Sequence, residues 1–171
     1  MLSEMLLLFK VILEQRPDAV FLFITTDEPG IIRDAAAKIL PELPHDNIVV
    51  KSATRMEVPL WASISDVSVF FIRPMYSKKA SSPTKMGELM GLGIPLICNS
   101  GVGDVEEILN QCGNGLIIRS FEEESLRKSL NHLPELLAKD PMLTIQCAHG
   151  VYALEEGVRR YEKIYRRWDH S

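Results

Sequence analysis

Short apolar runs alternate with longer amphipathic stretches along this chain. "AVFLFIT" (19–25) is continuously apolar, rich in bulky and β-branched residues, and bounded by the breakers "RPD" and "TDEPG". Such a run predicts a strand buried on both faces. The signal repeats in "NIVV" (47–50), "VSVFFI" (67–72), "IPLIC" (94–98) and "GLII" (115–118). Helical patterns fill the intervals: about Ile31 to Leu40, a short piece through Pro59, Leu60 and Trp61, a helix opened by Ser82, "DVEEILN", and further segments to the end. At the front, Leu2, Met5, Leu6, Phe9 and Leu13 recur at helical spacing until Pro17 ends the pattern, which predicts an amphipathic first helix. Strands separated by helix-bearing intervals are the mark of right-handed crossover units in a parallel sheet. The expected class is therefore α/β: one domain over 1–171, a doubly wound Rossmann-like sheet of about five strands flanked by helices.

Composition narrows the function classes. With 171 residues, 46% hydrophobic and 25% charged, the chain is long enough for one well-buried core. Nineteen Lys and Arg against 23 Asp and Glu leave a net charge of −4 and no general field for nucleic acid or anionic lipid, so any polyanion site must be local. Cys98, Cys112 and Cys147 are odd in number and lack C-x-x-C spacing, which argues against a disulfide framework or a zinc site. They read as reduced core thiols in a cytoplasmic protein, and no metal cluster stands out. Glu4 and Lys10 interrupt the apolar opening, so neither a signal peptide nor a membrane span is expected.

Ligands of open parallel sheets bind beyond the carboxyl ends of the strands, which selects the loops at 25–30, 51–55, 73–85 and 99–104. In "SSPTKMGE", Ser82 suits a helix N-cap and Pro83 the first helical position. The amides of Thr84 and Lys85 would then be free to bind a phosphate, aided by the helix dipole and by Lys78, Lys79 or Lys85. Glu88 shares a helical face with Thr84 and Lys85. A carboxylate matches two vicinal hydroxyl donors, so phosphate donors beside it point to a nucleotide. The alternative is a plain surface pair of Lys85 with Glu88, worth about 0.3 kcal/mol. "GVGD" offers Gly101 and Gly103 for close backbone approach and Asp104 as a helix cap; it equally reads as an ordinary strand-to-helix turn.

Taken together, "ISDVSVFFIRP" (64–74), "SSPTKMGELMGLGIPLICNSGVGDVEEIL" (81–109), "GNGLIIRS" (113–120) and "YALEEGVRRYEKIYRRW" (152–168) resemble the donor-binding half of the retaining nucleotide-sugar glycosyltransferases of family 4, group 1, whose GT-B fold pairs two Rossmann-like domains. The resemblance implies that Glu88 binds the donor ribose, that Ser82, Pro83 and Thr84 approach the diphosphate and sugar, and that Gly101 and Gly103 flank the donor. It places Ser52, Ala53 and Thr54 near the base. The expected ligand is a UDP-, GDP- or ADP-sugar, with no separate cofactor, and the expected role is in hexosyl transfer and glycan biosynthesis. Departures are informative. Ala80 stands where the family has the first glutamate of its pair. The chain begins at the helix that follows the family's first strand, and the acceptor domain is absent from it. None of His45, His132, His149 or His170 matches the acceptor domain's catalytic histidine. The chain is therefore expected to be inactive alone, either as a truncated piece of the enzyme or as a domain that a homodimer or a separate acceptor-domain chain would complete. The absent strand would lie between those at 19–25 and 67–72, which would either pair directly or receive a strand from another chain.

Two other readings compete. "ICNSGVGDVEE" runs strand, G-x-G, helix, with Arg119 placed for a 2′-phosphate, as in a dinucleotide-binding dehydrogenase domain; the third glycine position, however, holds Glu106. A non-catalytic interaction module is the other. The helix within 152–171 sets Tyr161, Tyr165 and Trp168 on one face among Arg159, Arg160, Lys163, Arg166 and Arg167, for packing on its own sheet, for docking to a partner, or for peripheral membrane attachment.

Overall fold

The computed structural model describes residues 1–41 and 45–168, and of His45, Arg167 and Trp168 the backbone alone. The expected contributions of Arg167 and Trp168 to an aromatic basic face, and His170, lie outside the described residues.

Five strands form where the apolar runs place them: β1 (Phe21–Ile24), β2 (Ile48–Lys51), β3 (Ser68–Phe70), β4 (Leu96–Asn99) and β5 (Gly115–Ile118). The helices are α1 (Leu2–Gln15), α2 (Pro29–Ile39), α3 (Val58–Ala62), α4 (Thr84–Gly91), α5 (Val105–Cys112), α6 (Glu123–Leu130), α7 (Leu133–Leu137), α8 (Pro141–Tyr152) and α9 (Leu154–Trp168). All strand pairings are parallel, so the α/β class holds. The single five-stranded sheet does not. β1 pairs only with β2, while β3, β4 and β5 form a separate sheet with β4 in the middle. The strands at 19–25 and 67–72 therefore do not pair directly.

The split explains a second departure. The run 19–25 looks uniformly buried in sequence, yet every residue of β1 is only half-buried, whereas β4, with a neighbour on each side, is buried throughout. Apolar composition gave both strands the same appearance; position in the sheet separates them.

Period-two alternation sorts the side chains onto two clusters. Phe71, Ile97 and Ile118, with Phe21, Phe23 and Val69 against them, join Leu6, Leu8, Phe9 and Val11 of α1 and Leu126 and Leu130 of α6. On the other face, Leu96 and Cys98 meet Met86 and Met90 of α4, Val105, Ile108 and Leu109 of α5, and Ala148 of α8. The seam between α1 and α6 carries ion pairs: Arg127 holds Glu14 at 2.7 Å and Glu123 at 2.9 Å, and Lys10 pairs with Glu123.

The cysteine expectation needs correction. Cys98 is a free, buried thiol as expected, but Cys112 on α5 and Cys147 on α8 are joined by a disulfide, with Cα atoms 5.7 Å apart. Their separation of 35 residues hid the pairing, because only the packing of α5 on α8 brings them together. Among the described residues no helix is long and apolar enough to cross a membrane.

Candidate functional site

The loop after β3, the first turn of α4 and the loop after β4 meet in space. Residues 73–80 are exposed throughout, and they include Arg73, Lys78 and Lys79. Gly103 joins this loop to the next. Its N–H donates to the Lys78 carbonyl at 3.0 Å, and its φ of +41° lies in the left-handed region. A Cβ there would stand 1.6 Å from the Ser81 carbonyl oxygen, so only glycine permits this contact. Gly101, at φ +79°, makes the preceding turn. Loop-to-loop packing thus engages the Gly103 amide, as the turn reading of "GVGD" expects.

The start of α4 differs by one residue from the expectation. Pro83 takes the N-cap position, the helix begins at Thr84, and the Ser82 side chain makes no capping bond. Proline's fixed φ suits that position, and its carbonyl accepts from the Met86 N–H at 3.0 Å. No hydrogen bond engages the Thr84 or Lys85 amides among the described residues, as the first-turn geometry requires. Met86 and Met90 face the core, and Gly87 lets the helix lie on the Tyr152 ring. The opposite face presents Thr84, Lys85 and Glu88 to solvent. Glu88 forms no ion pair with Lys85, and neither it nor Lys78, Lys79 or Lys85 has an ionic partner among the described residues.

Three residues hold this corner, of which the sequence singled out Asp104 alone, as a helix cap. Asn99, 4% exposed at the end of β4, clamps the end of β3: the Ile72 N–H donates to its Oδ1 at 2.8 Å, and its Nδ2 donates to the Ile72 carbonyl at 2.9 Å. Asp104 occupies the N-cap position of α5 as expected, but its side chain makes no capping bond and its Oδ1 is buried without a partner. Tyr152 of α8 is half-buried nearby, with its hydroxyl oxygen buried and also unpartnered; Ser82 approaches it without closing a hydrogen bond of ordinary geometry. Burial first, and then the Asp104 charge, push the Tyr152 phenol above its usual range. Polar atoms buried without a partner are uncommon, and this pair sits directly under the α4 and α5 turns. Only the order of the loops and the helix-start signals were readable in sequence; nothing in the spacing of Asp104 and Tyr152 foretold their approach.

Elsewhere two of the candidate residues, Thr54 and Arg119, are spoken for. Thr54 is bound locally, its N–H and Oγ1 each donating to Glu57 at 2.8 Å ahead of α3, while Ser52 and Ala53 lie in the same loop. Arg119 pairs with Glu106, the residue that occupies the third glycine position, so the guanidinium placed for a 2′-phosphate is already neutralised. No group of residues able to hold a metal ion is found among the described residues. A shallow groove of about 490 Å³ runs along α9 instead, lined by Leu154, Gly157, Val158, Tyr161 and Tyr165.

Compared with protein-family models and with curated proteins, the chain matches none.

Proposed function

We propose that the chain is the donor-binding domain of a retaining glycosyltransferase, a doubly wound Rossmann-like unit that grips a nucleoside-diphosphate sugar. The supporting observation is at the start of α4, where the unbonded amides of Thr84 and Lys85 stand beside unpaired lysines and, one turn later, an unpaired Glu88 on the same face. The amides and lysines would take the diphosphate, and Glu88 would accept from two ribose hydroxyls. In the complete enzyme these donors would also offset the charge of the departing diphosphate while the sugar passes to an acceptor hydroxyl.

Titration calorimetry with UDP, GDP and ADP tests the reading. One diphosphate should bind the wild type, and Glu88→Ala should weaken it by about 1.5–3 kcal/mol, the worth of charged hydrogen bonds. Equal affinity in the variant removes Glu88 from the site; failure of all three nucleotides to bind overturns the donor reading.

One observation favours a second reading as an interaction module. Leu154, Val158, Tyr161, Ile164 and Tyr165 line one exposed face of α9. Light scattering that reports a tight self-associated species, together with no nucleotide binding, would favour it.

A further inference from the structure

Tyr152, the last residue of α8, is seated firmly by packing. Met86 and Met90 of α4 and Ala148 of α8 share one cluster, and the Tyr152 ring lies so close to Gly87 that a Cβ there would stand 2.9 Å from the ring's Cγ. The ring is thus fixed against the first turn of α4. Its hydroxyl oxygen is closed off from solvent without a hydrogen-bond partner, and so is Asp104 Oδ1 at the start of α5. Phenylalanine would fill the same space and leave nothing unpaired. The hydroxyl therefore opposes folding stability here, and its presence asks for another explanation.

The neighbour that can answer it is Ser82. This residue is exposed, precedes the N-cap of α4, and uses its hydroxyl in no capping bond. It adjoins the phenol and, two residues on, the first of the unbonded amides of Thr84 and Lys85. A serine hydroxyl donates one proton and accepts on two lone pairs, so it can accept from one group while donating to another. Burial, and then the Asp104 charge, push the Tyr152 phenol above its usual range, which keeps it a donor at neutral pH.

From this we infer that Tyr152 is a positioning residue of the donor site: with a diphosphate on the first turn of α4, the Tyr152 O–H donates to Ser82 Oγ, and Ser82, held in that rotamer, donates its own proton to a phosphate oxygen. The phenol is satisfied in the liganded state alone, and a side-chain donor joins the backbone ones. A hydroxyl that accepts while it donates is polarised into the stronger donor. The Asp104 carboxylate beneath repels an anion, which keeps the phosphate on the Ser82 side of the phenol. The inference rests on the donor-binding reading and adds to it a residue that neither helical spacing nor the resemblance singles out.

Calorimetry with UDP, GDP and ADP on the wild type, Tyr152→Phe, Ser82→Ala and the double variant tests it. For whichever diphosphate the wild type binds, Tyr152→Phe should weaken binding by about fivefold and Ser82→Ala by at least as much. The double variant should be no weaker than Ser82→Ala alone, because the phenol acts through Ser82. The thermal midpoint of Tyr152→Phe should stay within about 2 °C of the wild type or rise, since the free protein loses no bond. Three results overturn the inference while leaving the donor reading in place: unchanged affinity in Tyr152→Phe, an equal loss when Ser82 is already alanine, or a midpoint lowered by more than about 4 °C, which would mean that the hydroxyl is bonded in the free protein. A wild type that binds none of the three nucleotides is a separate failure, and it removes the donor reading and this inference together.

Discussion

Reducing the Cys112–Cys147 bridge perturbs this fold at a point whose effect can be worked out beforehand. The bridge closes a loop of 35 residues between α5 and α8. In the chain-entropy treatment, a loop of that length restricts the unfolded state by about 4 kcal/mol. The native state loses little on reduction, because Leu109 and Val105 of α5 and Ala148 of α8 already pack in one cluster. For a chain of this size the thermal midpoint should fall by about 8–16 °C. With a urea slope of about 2 kcal/mol/M, the denaturation midpoint should fall by about 2 M. The measurement is urea unfolding followed by circular dichroism, with and without reductant, and repeated on Cys112→Ser/Cys147→Ser. Thiol counting supplies the control. Burial pushes the Cys98 thiol well above its ordinary pKa, so the oxidised native protein should alkylate nowhere until it unfolds. A midpoint shift below about 0.5 M on reduction, or two reactive thiols in the untreated protein, would refute the reasoning.

Three further outcomes are expected. Asn99→Ala should cost about 2–4 kcal/mol in urea unfolding, since it strips both partners from the buried end of β3 at Ile72; a cost under about 1 kcal/mol would mean that water replaces them. Gly103→Ala should destabilise by about 2–5 kcal/mol, from left-handed backbone and collision with Ser81, whereas Gly30→Ala, with nothing within 4 Å of the new methyl, should be neutral or stabilising. Glu14 is held below the ordinary glutamate value of 4.5 by Arg127, and Glu123 by Lys10 and then Arg127. Their contribution is therefore present above about pH 4.5 and lost as pH falls through the lowered folded values. Thermal midpoints read between pH 5 and pH 3 should drop more steeply for the wild type than for Arg127→Ala, and 1 M NaCl should narrow the difference because the pairs are exposed; equal slopes would detach them from acid stability.

How far the sequence could be read depended on the range of the forces involved. Apolar runs and helix breakers act over a few residues, so the five strands and the helix at Thr84 fell within one or two positions of expectation. The same local rules put Ser82 rather than Pro83 at the cap, because both suit a helix start and only the turn geometry chooses between them. Long-range facts were invisible. β1 and β4 have equally apolar sequences, and nothing local says that one has a neighbour on each side and the other on one side alone. The Cys112–Cys147 pairing, the Asn99 clamp on Ile72 and the approach of Tyr152 to Asp104 likewise join residues that only the packing of distant helices and strands brings together. At the candidate site, Glu88 and the free amides were legible from helical spacing, whereas the role of Gly103 in fastening one loop to another was not.

The placement of the two clusters bears on how the molecule comes apart. β1, β2 and α2 contribute only to the cluster that contains α1, while the other cluster draws solely on β3 and later elements. α1 is thus the hinge pin for the front third of the chain. Once it lifts, that portion loses its principal apolar partner and should detach as a unit, leaving the rear of the protein, riveted by Cys112 and Cys147, as a compact remnant.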